Sequence, residues 1–302
     1  MEKHGSPALP DLTPAEESIG ATRLTTWSST PGRYLARLAV ALARYVSAHG
    51  VLALTATVGG VLALGLTLAA GGIYDAVEEG DGVSSFDRPV LEEALRLRQP
   101  TLDTALTWFT HLGGPAGMTV IAATVTVLMV WRWRSRTPLL LMLITVAGSL
   151  AMTLVGKAVV GRMRPPRLDA VPPFESSPSF PSGHALNSTA IAGMVAYLLL
   201  LHLQRRAARV LTVVLATGWA VAIGLSRVFL GHHWLTDVMV GWVLGAAWLA
   251  VVVTAHRIFL TVRHAQRRHH ADVSELAGVP APPASDKSAN RSEDQPEDQT
   301  II

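Results

Sequence analysis

Ser226 to Asp237 reads Ser-Arg-Val-Phe-Leu-Gly-His-His-Trp-Leu-Thr-Asp and lies between two long apolar runs. It sets Arg227, His232, His233 and Asp237 where hydrocarbon gives way to water. If the strip opens a helix, His233 and Asp237 stand four residues apart on one face. A carboxylate so placed can hold one imidazole nitrogen and leave the other to attack or to accept a proton. The strip also fits a polar loop with an interfacial Trp234. His232 has Thr236 at the corresponding spacing, a poorer orienter, and takes a supporting role.

A second polar stretch runs from Lys157 to His184. Lys157 and Arg164 are seven residues apart, so they share a face if the helix before them continues. Adjacent cations repel unless an anion lies between them. Ser182, Gly183 and His184 stand just before or at the start of an apolar run. A helix beginning there would aim its first N–H groups at an anion. Arg227 adds a third cation. Three cations, a helix N-terminus and His184 with His233 point to a phosphate site. Singly, each residue also fits a plainer role. Lys157 can snorkel, Arg162, Arg164 and Arg167 can sit at the interface, Pro181-Ser182-Gly183 can be a turn, and His184 can be a polar cap. Their joint order favours the site.

The elements that must bring these strips together are membrane spans. Half of the 302 residues are hydrophobic and only 16% are charged, against about 25% in ordinary soluble domains. Mean hydropathy is +0.35. The expected class is all-α, a polytopic membrane protein of six transmembrane helices with disordered cytoplasmic tails. The spans are expected at 51–74, 116–131, 138–156, 185–203, 210–225 and 235–255, each near the roughly 20 residues a bilayer needs. Residues 1–30 read as a disordered tail without a cleavable signal, and 33–49 as a basic amphipathic segment. Short helices are expected near 90–98 and 102–109. The domains are 1–50, an N-terminal tail and amphipathic segment; 51–258, the six-span body; and 259–302, a basic and then disordered tail. With six spans both termini share a side. The basic turns at 132–136, 205–209 and 257–268 make that side cytoplasmic. The loop ending at His184 and the strip ending at Asp237 then meet at the opposite, extracytoplasmic mouth. Net charge is +3, but no aromatic-interleaved basic patch or other nucleic-acid motif is present. Cysteine is absent, which excludes thiolate nucleophiles and disulfides.

Lys157-x6-Arg164-Pro165, Pro181-Ser182-Gly183-His184 and Ser226-Arg227-x5-His233-x3-Asp237 resemble the three-part signature of the type 2 phosphatidic acid phosphatase (PAP2) family. The wider superfamily also holds vanadium-dependent haloperoxidases and glucose-6-phosphatase-like enzymes. The resemblance spans about residues 50–258. It implies that His233 is the nucleophile, forming a phosphohistidine, and that Asp237 fixes its tautomer. His184 protonates the leaving group and then activates water. Lys157, Arg164, Arg227, Ser182 and the Gly183 amide hold the phosphoryl oxygens. With three cations in that role and no carboxylate cluster visible at the mouth, no metal and no cofactor are expected. The expected partners are the bilayer and a lipid phosphate: phosphatidic acid, phosphatidylglycerophosphate or undecaprenyl diphosphate, with a lean toward the polyprenyl diphosphate. A lipid-linked phosphotransferase on the same scaffold, a vanadate-binding haloperoxidase and a non-catalytic lipid-binding or transport protein are the alternatives.

Overall fold

In hydrocarbon an unbranched segment has one way to satisfy its own N–H and C=O groups, the α-helix. A computed structural model, which describes residues 17–42, 50, 59–61, 65 and 83–276, is accordingly almost all helical. Two short strands, β1 (Ser18–Ile19) and β2 (Thr22–Arg23), precede helix α1 (Thr30–Leu42). Then come α2 (Asp87–Arg96), α3 (Pro100–Leu112), α4 (Pro115–Trp133), α5 (Thr137–Val160), α6 (Gly183–His202), α7 (Arg206–Phe229) and α8 (Leu235–Leu276). Among the described residues, the five helices α4 to α8 are long and apolar enough to cross a membrane. They match the five later spans expected from sequence. The expected first span, 51–74, lies outside the described residues except for 59–61 and 65. The chain divides into two compact units, Met1–Val262 and Arg263–Ile302. Of the second, the described part is the end of α8.

Local chemistry sets the helix ends. Prolines 100, 115 and 138 occupy the first turns of α3, α4 and α5, where the missing N–H has no intrahelical acceptor to lose. Helix α5 stops at Gly161, whose φ of 63° ends it in a left-handed turn. This corrects one expectation: the helix does not carry on to Arg164, so Lys157 and Arg164 do not share a helical face. Gly231, φ +71°, turns the chain between α7 and α8. A methyl there would stand 2.2 Å from the Asp169 carbonyl oxygen, so two loops touch at this residue. Arg98, after α2, donates to the Phe229 carbonyl at the end of α7 through Nε and Nη2, at 3.1 and 2.8 Å.

Two further expectations change. Residues 17–29 are not a free tail. Arg257 of α8 donates to the carbonyls of Leu24 (3.1 Å) and Thr26 (2.7 Å), and its guanidinium lies 4.3 Å from the Trp27 ring centroid. Trp27 Nε1 donates to Thr261 Oγ1 at 3.2 Å. A tryptophan and a guanidinium with carbonyls to bond are enough to pin a segment whose composition looks like linker. Helix α8 also runs past the expected 255, because nothing between Ala255 and Leu276 breaks a helix.

The core lies between α5, α6 and α8 and is built on Leu141, Met152, Leu186, Met194, Leu198 and Leu244. Two glycines bring α6 and α8 close. A methyl at Gly241 would stand 2.9 Å from the Ser182 carbonyl oxygen, and one at Gly245 would stand 2.6 Å from that of Leu186. The Gly-xxx-Gly spacing thus places the N-termini of the two helices side by side. Gly245→Val should destabilise the fold by about 1–3 kcal/mol through forced separation of α6 and α8. Gly218→Ala, at a position with nothing within 4 Å, should leave stability unchanged or raised. Thermal unfolding in detergent tests both.

Candidate active site

Asp237 organises the mouth. It stands in the first turn of α8, and its Oδ2 reaches back to accept the Trp234 N–H at 3.0 Å, one half of a capping box. Asp87, at the start of α2, accepts the next exposed donor, Thr236 N–H, at 2.8 Å. Both carboxylates lie where the helix dipole favours negative charge. Arg162 joins them, donating to Asp237 Oδ1 at 2.6 Å and to Asp87 Oδ2 at 2.8 Å. All three side chains are buried, with exposures of 8% for Arg162, 6% for Asp87 and none for Asp237.

His233 does not lie on the helix, as the four-residue spacing suggested. It sits in the turn just before α8, and the turn rather than helical periodicity brings it to Asp237. Its Nδ1 is 3.4 Å from Asp237 Oδ2 and 3.3 Å from Ser179 Oγ. The Ser179 hydroxyl donates to Asp237 Oδ2 at 2.5 Å. On the other side of the ring, Nε2 is 3.3 Å from Arg164 Nη1. These neighbours choose the tautomer. The Ser179 proton is committed to Asp237, so Nδ1 faces only acceptors and must carry the hydrogen. Arg164 can only donate, so Nε2 presents its lone pair to the mouth. Burial holds the imidazole pKa well below the ordinary 6.5, helped by Arg164, Arg227 and Lys157 and opposed by Glu175. His233 is therefore a buried neutral imidazole whose Nε2 lone pair faces Arg164, a state in which an imidazole can act as a base or a nucleophile.

The three cations approach from three elements. Lys157, near the end of α5, donates to the Pro178 carbonyl and to Ser177 Oγ. Arg164, in the loop after α5, donates to the carbonyls of His232 (2.5 Å) and Ser177 (2.7 Å). Arg227, in the last turn of α7, is 4% exposed. Its Nε is buried without a hydrogen-bond partner. Between Arg164 and Arg227 lies a residue that sequence reasoning missed. Glu175 accepts from Arg164 Nη2 at 2.6 Å through one carboxylate oxygen and from Arg227 through the other. Burial works to raise its pKa, but Arg227 and Arg164 outweigh burial and hold it below the ordinary 4.5. The mouth that looked purely cationic in sequence thus carries its own carboxylate.

Ser182 caps α6, its Oγ accepting from Ala185 N–H at 3.5 Å, while its own N–H donates to the Asp237 carbonyl at 3.1 Å. Gly183 is the first residue of α6 and packs on Thr153. His184 follows, with the α3–α4 junction close beside it: a methyl at Gly114 would stand 3.2 Å from His184 Nε2. A cavity of about 180 Å³ beside the mouth is lined by Arg164, Arg167, Phe174, Glu175 and His232. An apolar cleft of about 330 Å³ lies between α4, α6 and α7 and includes Met118, Ile191, Val195 and Trp219.

Comparison with known proteins decides the family. The PAP2 superfamily model matches residues 138–259. The phosphatidylglycerophosphatase B of Bacillus subtilis (strain 168) is 34% identical over 174 residues, 57% of this chain and 84% of that protein. The chain belongs to the PAP2 superfamily. A solved structure, the first transmembrane PAP2 type phosphatidylglycerolphosphate phosphatase from Bacillus subtilis, aligns with a TM-score of 0.56. Its sequence identity is 30%, over 64% of this chain and 93% of that one. The protein is a multi-pass membrane member of this phosphatase superfamily.

All eight site residues expected from sequence lie on α5, α6, α7, the first turn of α8 or the loops that join them. Sequence reasoning missed Glu175, Asp87, Ser179 and the part played by Arg162, which had read as an interfacial cation. The usable signal was burial cost: a carboxylate at a buried helix start needs a cation, and Arg162 stands two residues before Arg164. Arg162→Met should cost about 3–5 kcal/mol by leaving Asp87 and Asp237 buried without their counter-ion, seen as a fall in detergent melting temperature. His232 gives a pH signature. Burial, then Arg227, lowers its pKa from 6.5 to about 4. The unfolded chain takes up a proton first as pH falls. Its contribution to stability is therefore whole above pH 6.5 and is lost progressively down to about pH 4. His232→Gln should flatten the melting-temperature profile over that window.

Proposed function

We propose that the protein is a lipid phosphatase that works through a phosphohistidine on His233, with its site on the extracytoplasmic side. The observation that carries this reading is the setting of His233, with Nδ1 against Ser179 and Asp237, Nε2 3.3 Å from Arg164 Nη1, and the charges of Arg227 and Lys157 near enough to lower its pKa. Phosphoryl transfer needs little more than an aligned nucleophile, a proton donor and positive charge around the equatorial oxygens. Nε2 attacks phosphorus, and the bond to the leaving oxygen breaks. His184 gives that oxygen a proton, then takes one from the water that cleaves the P–N bond and restores the free imidazole. Arg164, Arg227 and Lys157 bind the phosphoryl oxygens, the buried Arg227 Nε being a donor already in place for one of them. Gly183, at the α6 N-terminus, contributes its backbone N–H, and the Ser182 cap fixes that terminus.

The cations do the work a divalent ion would do, so the reaction is read as metal-independent. Among the described residues no group of three or more His, Asp or Glu side chains is arranged to hold a metal. The apolar cleft between α4, α6 and α7 supports a substrate with a hydrocarbon tail. The names of the Bacillus subtilis matches support phosphatidylglycerophosphate, rather than a polyprenyl diphosphate, as the preferred substrate. The basic turns support a reading with the termini in the cytoplasm and the mouth outside.

Phosphate release from phosphatidylglycerophosphate, phosphatidic acid and undecaprenyl diphosphate, each with EDTA, tests substrate and metal independence together. We expect phosphatidylglycerophosphate to be turned over fastest and EDTA to have no effect. Added alcohol or lipid acceptors should not divert the phosphoryl group from water, as they would in a phosphotransferase. His233→Ala should lose at least about a thousandfold in kcat while inserting and melting normally. Full activity in that variant would remove the assignment.

A further inference from the structure

We propose that Ser179 is a positioning residue for the reaction, the group that keeps His233 in its attacking tautomer. The proposal rests on the phosphohistidine reading above. His233 Nδ1 lies at equal reach of two oxygens, Asp237 Oδ2 at 3.4 Å and Ser179 Oγ at 3.3 Å. Ser179 bonds Asp237 Oδ2 at 2.5 Å. The three atoms form a triangle, in which the hydroxyl gives its proton to Asp237 and offers its oxygen lone pair to Nδ1–H beside the carboxylate. That direction cannot reverse while Asp237 is ionised, because a carboxylate has no hydrogen to return. Arg162 donates to Oδ1 at 2.6 Å and pairs with the carboxylate.

The hydroxyl is also held in register by backbone bonds around it. Ser179 N–H donates to the Arg162 carbonyl at 2.8 Å, and Ser182 N–H, three residues on, to the Asp237 carbonyl at 3.1 Å. Phe180 between them is wholly buried, as is Ser179 itself. The segment is thus clamped to both partners of the ion pair, and the hydroxyl has no solvent to turn toward. When Nε2 bonds phosphorus, the imidazole becomes cationic with Nδ1–H retained. The Ser179 oxygen and Asp237 then stabilise that charge without any proton leaving the ring. When water cleaves the P–N bond, the electron pair returns to Nε2 and the ring is neutral again.

The test is a kinetic cycle on the full-length protein in detergent with phosphatidylglycerophosphate. Ser179→Ala should lower kcat about 10- to 100-fold, the loss of one charge-assisted hydrogen bond. KM should stay within about twofold and the melting temperature within a few degrees. Ser179→Cys keeps a weak donor of similar size and should recover part of the loss. In an Asp237→Asn background the same Ser179→Ala change should cost less than about threefold, because the two groups act on Nδ1 as a unit. Full kcat in Ser179→Ala with His233→Ala inactive overturns the positioning role and leaves the nucleophile assignment standing. Equal loss in both backgrounds, with a lowered melting temperature, overturns it as well and makes Ser179 structural. Activity in His233→Ala overturns both.

Discussion

A carboxylate with no exposure to solvent must have its charge answered from inside the protein, and Asp237 is such a group. An unpaired ion in that position would cost several kcal/mol. The answer is Arg162, and Arg162 can reach Asp237 only if the chain after α5 folds back over the start of α8. Its second arm reaches Asp87, which draws α2 onto the same spot. Ser179 and the Trp234 N–H use the remaining acceptor capacity of Asp237. Each of these contacts fixes an element that carries part of the mouth. The loop that brings Arg162 also brings Arg164 and Glu175, and the segment that brings Ser179 ends in Ser182, Gly183 and His184.

Behind the polar mouth, the distance between its two halves is set by bare backbone. With no hydrophobic driving force between helices in lipid, close packing of small residues takes over. Gly241 and Gly245 let α8 lie against the Ser182 and Leu186 carbonyls. Ser182 and Asp237 are therefore close enough for a main-chain hydrogen bond between helix starts. His184 stands on α6 and His233 in the turn before α8, but their spacing inherits the precision of that seam.

How much of this was legible in the sequence depends on the range over which each signal acts. Apolar runs are local and about a bilayer long, so the five described spans were readable, as were the amphipathic pieces at α1, α2 and α3. Parity of the spans gathered Lys157, Arg164, His184, Arg227, His233 and Asp237 at one side. What helical periodicity could not give was the arrangement inside the mouth. It placed Lys157 with Arg164 on a helix that ends at Gly161, and His233 on a helix that begins after it. The partners it missed act across the chain: Asp87 on Thr236, Ser179 on Asp237, Glu175 on Arg227. Those pairings exist only once the loops have closed. The anchoring of residues 17–29 was hidden for the same reason, since Arg257 lies at the other end of the sequence.

Glu175 offsets one of the two charges that Arg164 and Arg227 bring to the resting mouth. Under the proposed function, an anion that enters there would have to displace a tethered competitor of fixed local concentration. Part of the charge then cancels in that comparison, and geometry gains weight. A planar carboxylate has two oxygens for the two guanidinium groups and leaves Arg227 Nε without a partner. A tetrahedral oxyanion would bring a further oxygen for the donor that Glu175 leaves unused.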